Sequence, residues 1–123
     1  MIRWLCAIAL LGSVPALAQP ANLSGERAFQ RCYSCHSVTR GDKGLSGPSL
    51  HALDRRAIAA DPDFDYSKAF KTFASRNQRW TPELLDRFLT DPEAVVPGNQ
   101  MGFFGLKDAR ERTAIIGYIL NKK

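Results

Sequence analysis

The sequence predicts an all-α domain of three to five helices joined by long loops. Three observations carry that reading. Apolar residues recur at helical spacing in segments near both ends of the chain and in one central segment. Strict apolar–polar alternation, the mark of a half-buried strand, is almost absent. The intervening stretches are dense in Gly, Pro, Ser and Asp and carry no sustained period.

The elements follow in order. Residues 24–35 read as a first helix, with Ser24 as N-cap, Glu26 in the first turn, and Ala28, Phe29 and Cys32 along one face. Residues 37–68 read as loop. Residues 69–75 are consistent with a short helix. Thr81 caps a clear helix with Pro82 at its first position, and Leu84, Leu85, Phe88 and Leu89 form its apolar stripe. This helix must stop before Pro92, because the residue preceding a proline is steered out of the helical region. Residues 92–105, marked by Pro97-Gly98, Gly102 and Gly105, read as a second loop. Lys107 to Asn121 reads as the final helix. Ala109, Thr113, Ile116 and Leu120 are expected on one side of it, with Ile115 and Ile119 beside them and Arg110, Glu111 and Arg112 facing solvent.

Loops this long are unusual around an ordinary core, and the motif Cys32-Tyr33-Ser34-Cys35-His36 supplies a reason for them. Two cysteines two residues apart, followed at once by histidine, are the attachment signature of a c-type haem. Each thiol adds across one vinyl group of the porphyrin, and the adjacent imidazole reaches the iron. Three plainer readings are weaker. A redox dithiol wants a βαβ context. A zinc site needs four ligands, and after residue 18 only His51 and Met101 remain to complete one. A plain structural disulfide is the third.

The first 18 residues have the pattern of a secretory signal: Arg3, an apolar run from Trp4 to Leu11, and the small-x-small site Ala16-Leu17-Ala18 preceded by Pro15. The 15 residues from Trp4 to Ala18 fall short of the ~20 needed to span a bilayer. Cleavage before Gln19 is therefore expected, with no stable membrane insertion afterwards and with the periplasm as destination. Cys6 leaves with the leader. The expected mature chain, residues 19–123, suits one small domain with a modest core. With Cys32 and Cys35 as its only cysteines it has no disulfide framework. Removing Arg3 takes the net charge from +5 to +4. No basic run is interleaved with aromatics, so nucleic acid is not the expected partner. A moderately basic surface suits redox partners with acidic docking faces, and the chain is expected to be a monomer.

His36 can fill one axial position of the iron. Met101, in Pro97-Gly98-Asn99-Gln100-Met101-Gly102, is the only methionine besides Met1 and a candidate for the other. His51, shortly after Gly47-Pro48-Ser49-Leu50, is an alternative, and spacing alone leaves bis-histidine ligation open.

Taken together, these features resemble the class I cytochromes c of the mitochondrial and bacterial soluble type. The resemblance covers nearly all of 24–122. It rests on Gly25, Phe29, the Cys-x-x-Cys-His, Gly47 to His51, Arg56, Tyr66, Trp80, the Leu84–Leu89 stripe, Pro92, Pro97-Gly98, Met101, Glu111-Arg112 and Tyr118, in that order. It implies the cytochrome c fold wrapped around one covalent haem c on Cys32 and Cys35, with His36 and Met101 as axial ligands and His51 not a ligand. It implies that the Pro48 carbonyl orients His36, and that Arg56, Tyr66 and Trp80 bond the haem propionates. It also implies that Gly25 lets the first and last helices cross near Tyr118. Three departures stand out. Phe88 occupies a position that is tyrosine in the mitochondrial form, Gln100 replaces a lysine, and the stretch from Tyr66 to Trp80 is about three residues longer.

The function expected is transfer of one electron by the Fe(II)/Fe(III) couple between periplasmic or membrane-bound redox partners. An electron-transfer subunit dedicated to one dehydrogenase or oxidase is the alternative. A haem enzyme such as a peroxidase is disfavoured, since it needs an open iron position and an acid–base pair that the sequence does not offer. If the leader and attachment readings are right, intact mass equals residues 19–123 plus one haem, and acidic organic solvent leaves the colour on the protein. Haem that extracts freely would contradict the attachment.

Overall fold

Ser24 begins the first helix as its sequence indicates: its Oγ accepts the Arg27 N–H at 3.2 Å. The computed structural model describes residues 24–122; the leader expected over 1–18 and the cleavage before Gln19 lie outside them. Five α-helices follow in order: α1 Gly25–Phe29, α2 Lys68–Ala74, α3 Pro82–Thr90, α4 Pro92–Val95 and α5 Ala109–Leu120. No strand occurs among the described residues, in keeping with the all-α class.

Helix α1 is shorter than the 24–35 expected. After Phe29 the chain tightens into a 3₁₀ turn over Gln30–Cys32, a common way to finish a helix. It then curls further, with the N–H groups of Cys35 and His36 both donating to the Cys32 carbonyl, at 3.1 and 2.9 Å. A straight helix would have carried Cys35 and His36 past the site they share.

Helix α3 has its expected cap, Thr81 Oγ1 accepting the Leu84 N–H at 3.1 Å, and buries Leu84, Leu85 and Phe88. Pro92 does end it, but also opens α4, which the sequence reading had taken as loop. Asp91 accepts the Ala94 N–H at 3.1 Å, and proline is pre-set for a first helical position. The same residue therefore closes one helix and starts the next.

In α5 the buried face is Ile115, Ile116 and Ile119. Ala109 and Thr113, expected on the apolar side, are exposed. The face is rotated toward Arg112, whose side chain is only 11 % exposed rather than solvent-facing. Arg112 Nε donates to Asp86 of α3 at 2.7 Å, and its Nη1 donates to the Leu106 and Lys107 carbonyls at 2.8 and 3.0 Å. Glu111 is likewise held, in an ion pair with Arg31. Of the three residues expected in solvent only Arg110 is wholly there. Sequence spacing misplaces Arg112 because its apolar stem packs while its head finds backbone acceptors.

Helices α1 and α5 cross in close contact at Gly25. A Cβ there would lie 2.5 Å from the Ala114 carbonyl oxygen and 2.5 Å from the Tyr118 Cβ, so only glycine fits. Phe29, fully buried, packs its ring 5.3 Å from that of Tyr118. Ala28, Phe29, Leu53, Leu85, Leu106, Ile115, Ile116 and Ile119 belong to the core so formed. The long 33–67 segment is tied down by backbone bonds to distant parts, Ala52 N–H to Lys122 O at 2.8 Å and Ile58 N–H to Gln78 O at 2.9 Å. These bonds hold the segment in place without a sheet or helix.

Arg112→Met keeps the stem and removes the three bonds. Hydrogen bonds to a charged group contribute about 1.5–3 kcal/mol singly, but bonds of one side chain do not add and the half-exposed Asp86 regains water, so a loss of at least about 2–3 kcal/mol is expected, seen as a lower denaturant midpoint. An unchanged midpoint would show Arg112 to be an ordinary surface charge.

Candidate functional site

The turn after α1 brings Cys32, Cys35 and His36 to the edge of one cavity. Both thiols are free. Burial pushes the Cys32 thiol up, whereas hydrogen bonds from Ser46 and then Ser34 pull Cys35 down. The imidazole of His36 is oriented by Pro48, whose carbonyl oxygen lies 2.7 Å from Nδ1. A carbonyl only accepts, so Nδ1 carries the proton and Nε2 keeps its lone pair. Burial lowers the His36 pKa, against the Pro48 bond that opposes it, and so favours the neutral ring. Gly47 makes this approach feasible: a Cβ there would lie 2.6 Å from His36 Cε1 and 2.8 Å from the Cys35 oxygen.

Met101 reaches the same cavity from the other loop. Pro97-Gly98 turns the chain with Gly98 at φ +78°, and Gly102 and Gly105 also have positive φ. At Gly105 any side chain is barred, because a Cβ would stand 2.2 Å from the Thr90 oxygen. Asn99 holds the methionine's backbone, its Oδ1 accepting the Met101 N–H at 3.1 Å. Asn99 is itself held by Glu93 Oε2 at 3.2 Å and the Val96 carbonyl at 3.1 Å, and Glu93 Oε1 accepts the Gly98 N–H at 2.8 Å. The sequence reading missed Glu93 and Asn99. Their spacing to Met101 was legible, but their aim depends on α4, which was itself missed.

Between these two sides lies a cavity of about 390 Å³. Leu50, Leu53, Leu85, Leu89, Leu106 and Ile119 supply apolar wall. One flank is an aromatic chain that sequence reasoning saw only in part: ring centroids step from Phe64 to Tyr66 at 4.9 Å, to Phe70 at 5.9 Å, to Trp80 at 6.3 Å, and from Trp80 to Phe88 at 5.2 Å. Such spacings fall within the favourable range for aromatic pairs. Arg56, Tyr66 and Trp80 all line the cavity. Burial raises the Tyr66 phenol, against the positive charge of Arg56. His51 does not line the cavity; its Nδ1 lies 3.3 Å from the Val38 carbonyl oxygen.

The eight residues singled out by sequence, Cys32, Cys35, His36, Pro48, Arg56, Tyr66, Trp80 and Met101, thus line one cavity. Two thiols, a neutral imidazole and a thioether facing an apolar, aromatic-walled space fit a covalently held haem, and the helical fold around it defines the c-type cytochromes of class I. Comparison with known proteins agrees. No family model matches the chain. It is 38 % identical to cytochrome c2 of Agrobacterium tumefaciens over 96 residues, covering 78 % of this chain and 86 % of that one. It is 39 % identical to cytochrome c2 of Blastochloris viridis over 105 residues, covering 85 % and 80 %. The solved structure of cytochrome c2 from Rhodospirillum centenum superimposes with a TM-score of 0.73 at 29 % identity, over 80 % of this chain and 94 % of that one. The chain belongs to the class I c-type cytochromes, among relatives named cytochrome c2. It is an electron-transfer protein with one covalent haem c.

Proposed function

We propose that His36 Nε2 and Met101 Sδ are the two axial ligands of the haem iron, and that the protein shuttles single electrons between periplasmic or membrane-bound redox partners. The observation that carries this reading is that His36 and Met101, 65 residues apart in sequence, line one cavity while His51 does not. Haem c supplies a one-electron Fe(II)/Fe(III) couple. The rest is the work of the chain. Cys32 and Cys35 fix the ring covalently. Pro48 holds the His36 tautomer and raises its basicity as a ligand. The loop bonds of Asn99 and Glu93 pre-place the thioether, so little rearrangement accompanies a change of charge. Apolar walls exclude water, and together with thioether ligation they favour the reduced state and a raised potential.

Arg56, Tyr66 and Trp80 are assigned to the propionate side, where a guanidinium, a phenol and an indole N–H are donors suited to carboxylates. With both axial positions filled by the chain, the protein is a carrier rather than an enzyme. Residues 1–18 are assigned to export and 19–123 to the mature periplasmic domain, a monomer. Its excess of Lys and Arg fits partners with acidic docking faces. No helix among the described residues is long and apolar enough to cross a membrane.

Met101→Ala is expected to abolish the sulfur-to-iron charge-transfer band of the oxidised protein and to lower its reduction potential, while His51→Ala leaves the band intact. Optical spectra of the two variants check this, and the opposite pattern would establish bis-histidine ligation.

A further inference from the structure

Arg56 lines the haem cavity, but the residue that holds it does not. Asp61 lies beside Arg56, with its Oδ2 3.6 Å from Arg56 Nη1, and its side chain is only 9 % exposed. It borders a small depression shared with Pro48, Ser49 and Phe64 rather than the cavity itself. Both its oxygens are engaged: Oδ2 accepts the Ser49 N–H at 2.8 Å, and Oδ1 accepts the Asp63 N–H at 3.1 Å. Arg56 Nη2 in turn donates to the Ser49 carbonyl. The backbone of Ser49 is therefore gripped at its N–H by the carboxylate and at its C=O by the guanidinium. Ser49 follows Pro48, whose carbonyl orients His36.

We infer that Asp61 is a positioning residue and a fixed charge that lowers the reduction potential. It aligns Arg56 at the cavity wall and offsets part of its positive field. Oxidation adds one positive charge at the iron. A nearby cation opposes that charge and an anion favours it, with interactions far less screened in a poorly solvated wall than in bulk water. Arg56 alone would favour the reduced form; the Arg56–Asp61 pair favours it less. Burial of the carboxylate is tolerable because each oxygen has a partner and a cation stands beside it. The inference rests on the proposed role of Arg56 beside the haem, and the experiment separates the two.

The test is a spectroelectrochemical titration, at one pH and ionic strength, of the wild-type holoprotein beside Asp61→Asn, Asp61→Glu and Arg56→Gln, with the denaturant midpoint of each. Asp61→Asn removes the charge but keeps an oxygen for Ser49. Its potential is expected to shift upward, with Asp61→Glu returning toward wild type and Arg56→Gln shifting downward. The sign is decisive. If Asp61 only braced the loop, Asp61→Asn would loosen it and admit water, which favours the oxidised form. An unchanged or lower potential with a lower midpoint, alongside a downward shift in Arg56→Gln, would overturn the charge role while sparing the role of Arg56. An upward shift in Asp61→Asn with no shift in Arg56→Gln would keep the charge role and overturn the reading of Arg56. No shift in either would overturn both.

Discussion

The fold depends on the turn from Cys32 to His36, where two amide N–H groups converge on one carbonyl oxygen. That curl ends α1 early and faces two thiols and an imidazole into a common space. It also creates the need for Gly47 and Pro48, which must pass close enough to fix the ring of His36. A helix–helix core of Phe29, Ile115, Ile116 and Ile119 backs the turn from one side. The methionine loop, anchored by Leu106 N–H to Leu89 O at 2.8 Å, faces it across the cavity. A chain of this size has little core to spare, yet its leucines and aromatics are arranged around a cavity. The covalent haem is therefore part of the hydrophobic core.

That arrangement explains how the scaffold serves electron transfer. A carrier works best when its ligand set is the same in both oxidation states. On the ligation proposed above, each side is held from behind by groups that do not change with the iron: a proline carbonyl for His36, and an asparagine braced by Glu93 for Met101. The aromatic flank from Phe64 to Phe88 keeps water out on one side. Arg56 and Asp61 bring the charges that the apolar walls lack, placed as a pair.

Much of this was legible in the sequence because the decisive signals are local. The Cys-x-x-Cys-His motif, the caps at Ser24 and Thr81, and Pro82 at the start of α3 each act within four residues, whereas the curl that ends α1 at Phe29 was not read, since 24–35 had the pattern of one helix. The crossing at Gly25 and the gathering of Arg56, Tyr66 and Trp80 came from the family resemblance rather than from spacing. What was missed lies mostly in irregular side-chain-to-backbone bonds, many of them only two to six residues apart, that follow no helical period. Pro92 was read as a terminator although Asp91-Pro92 repeats the cap-then-proline pattern of Thr81-Pro82, because a helix of four residues is too short to show an apolar period. Arg112 was placed in solvent because periodicity registers its charge and not the carbonyls of Leu106 and Lys107. Glu93 and Asn99 act on backbone N–H groups of their own loop and Asp61 on those of Ser49 and Asp63, and no residue pattern announces such aim.

The central claim is that the covalently held haem completes the core on which the helices pack. Thermal unfolding of the holoprotein beside a Cys32→Ala/Cys35→Ala variant prepared without haem, followed by far-ultraviolet circular dichroism and amide hydrogen exchange, tests it most directly. The haem-free chain is expected to lose its cooperative transition and the slow exchange of the α5 amides. A haem-free chain that unfolds cooperatively with α5 protected as in the holoprotein would contradict it.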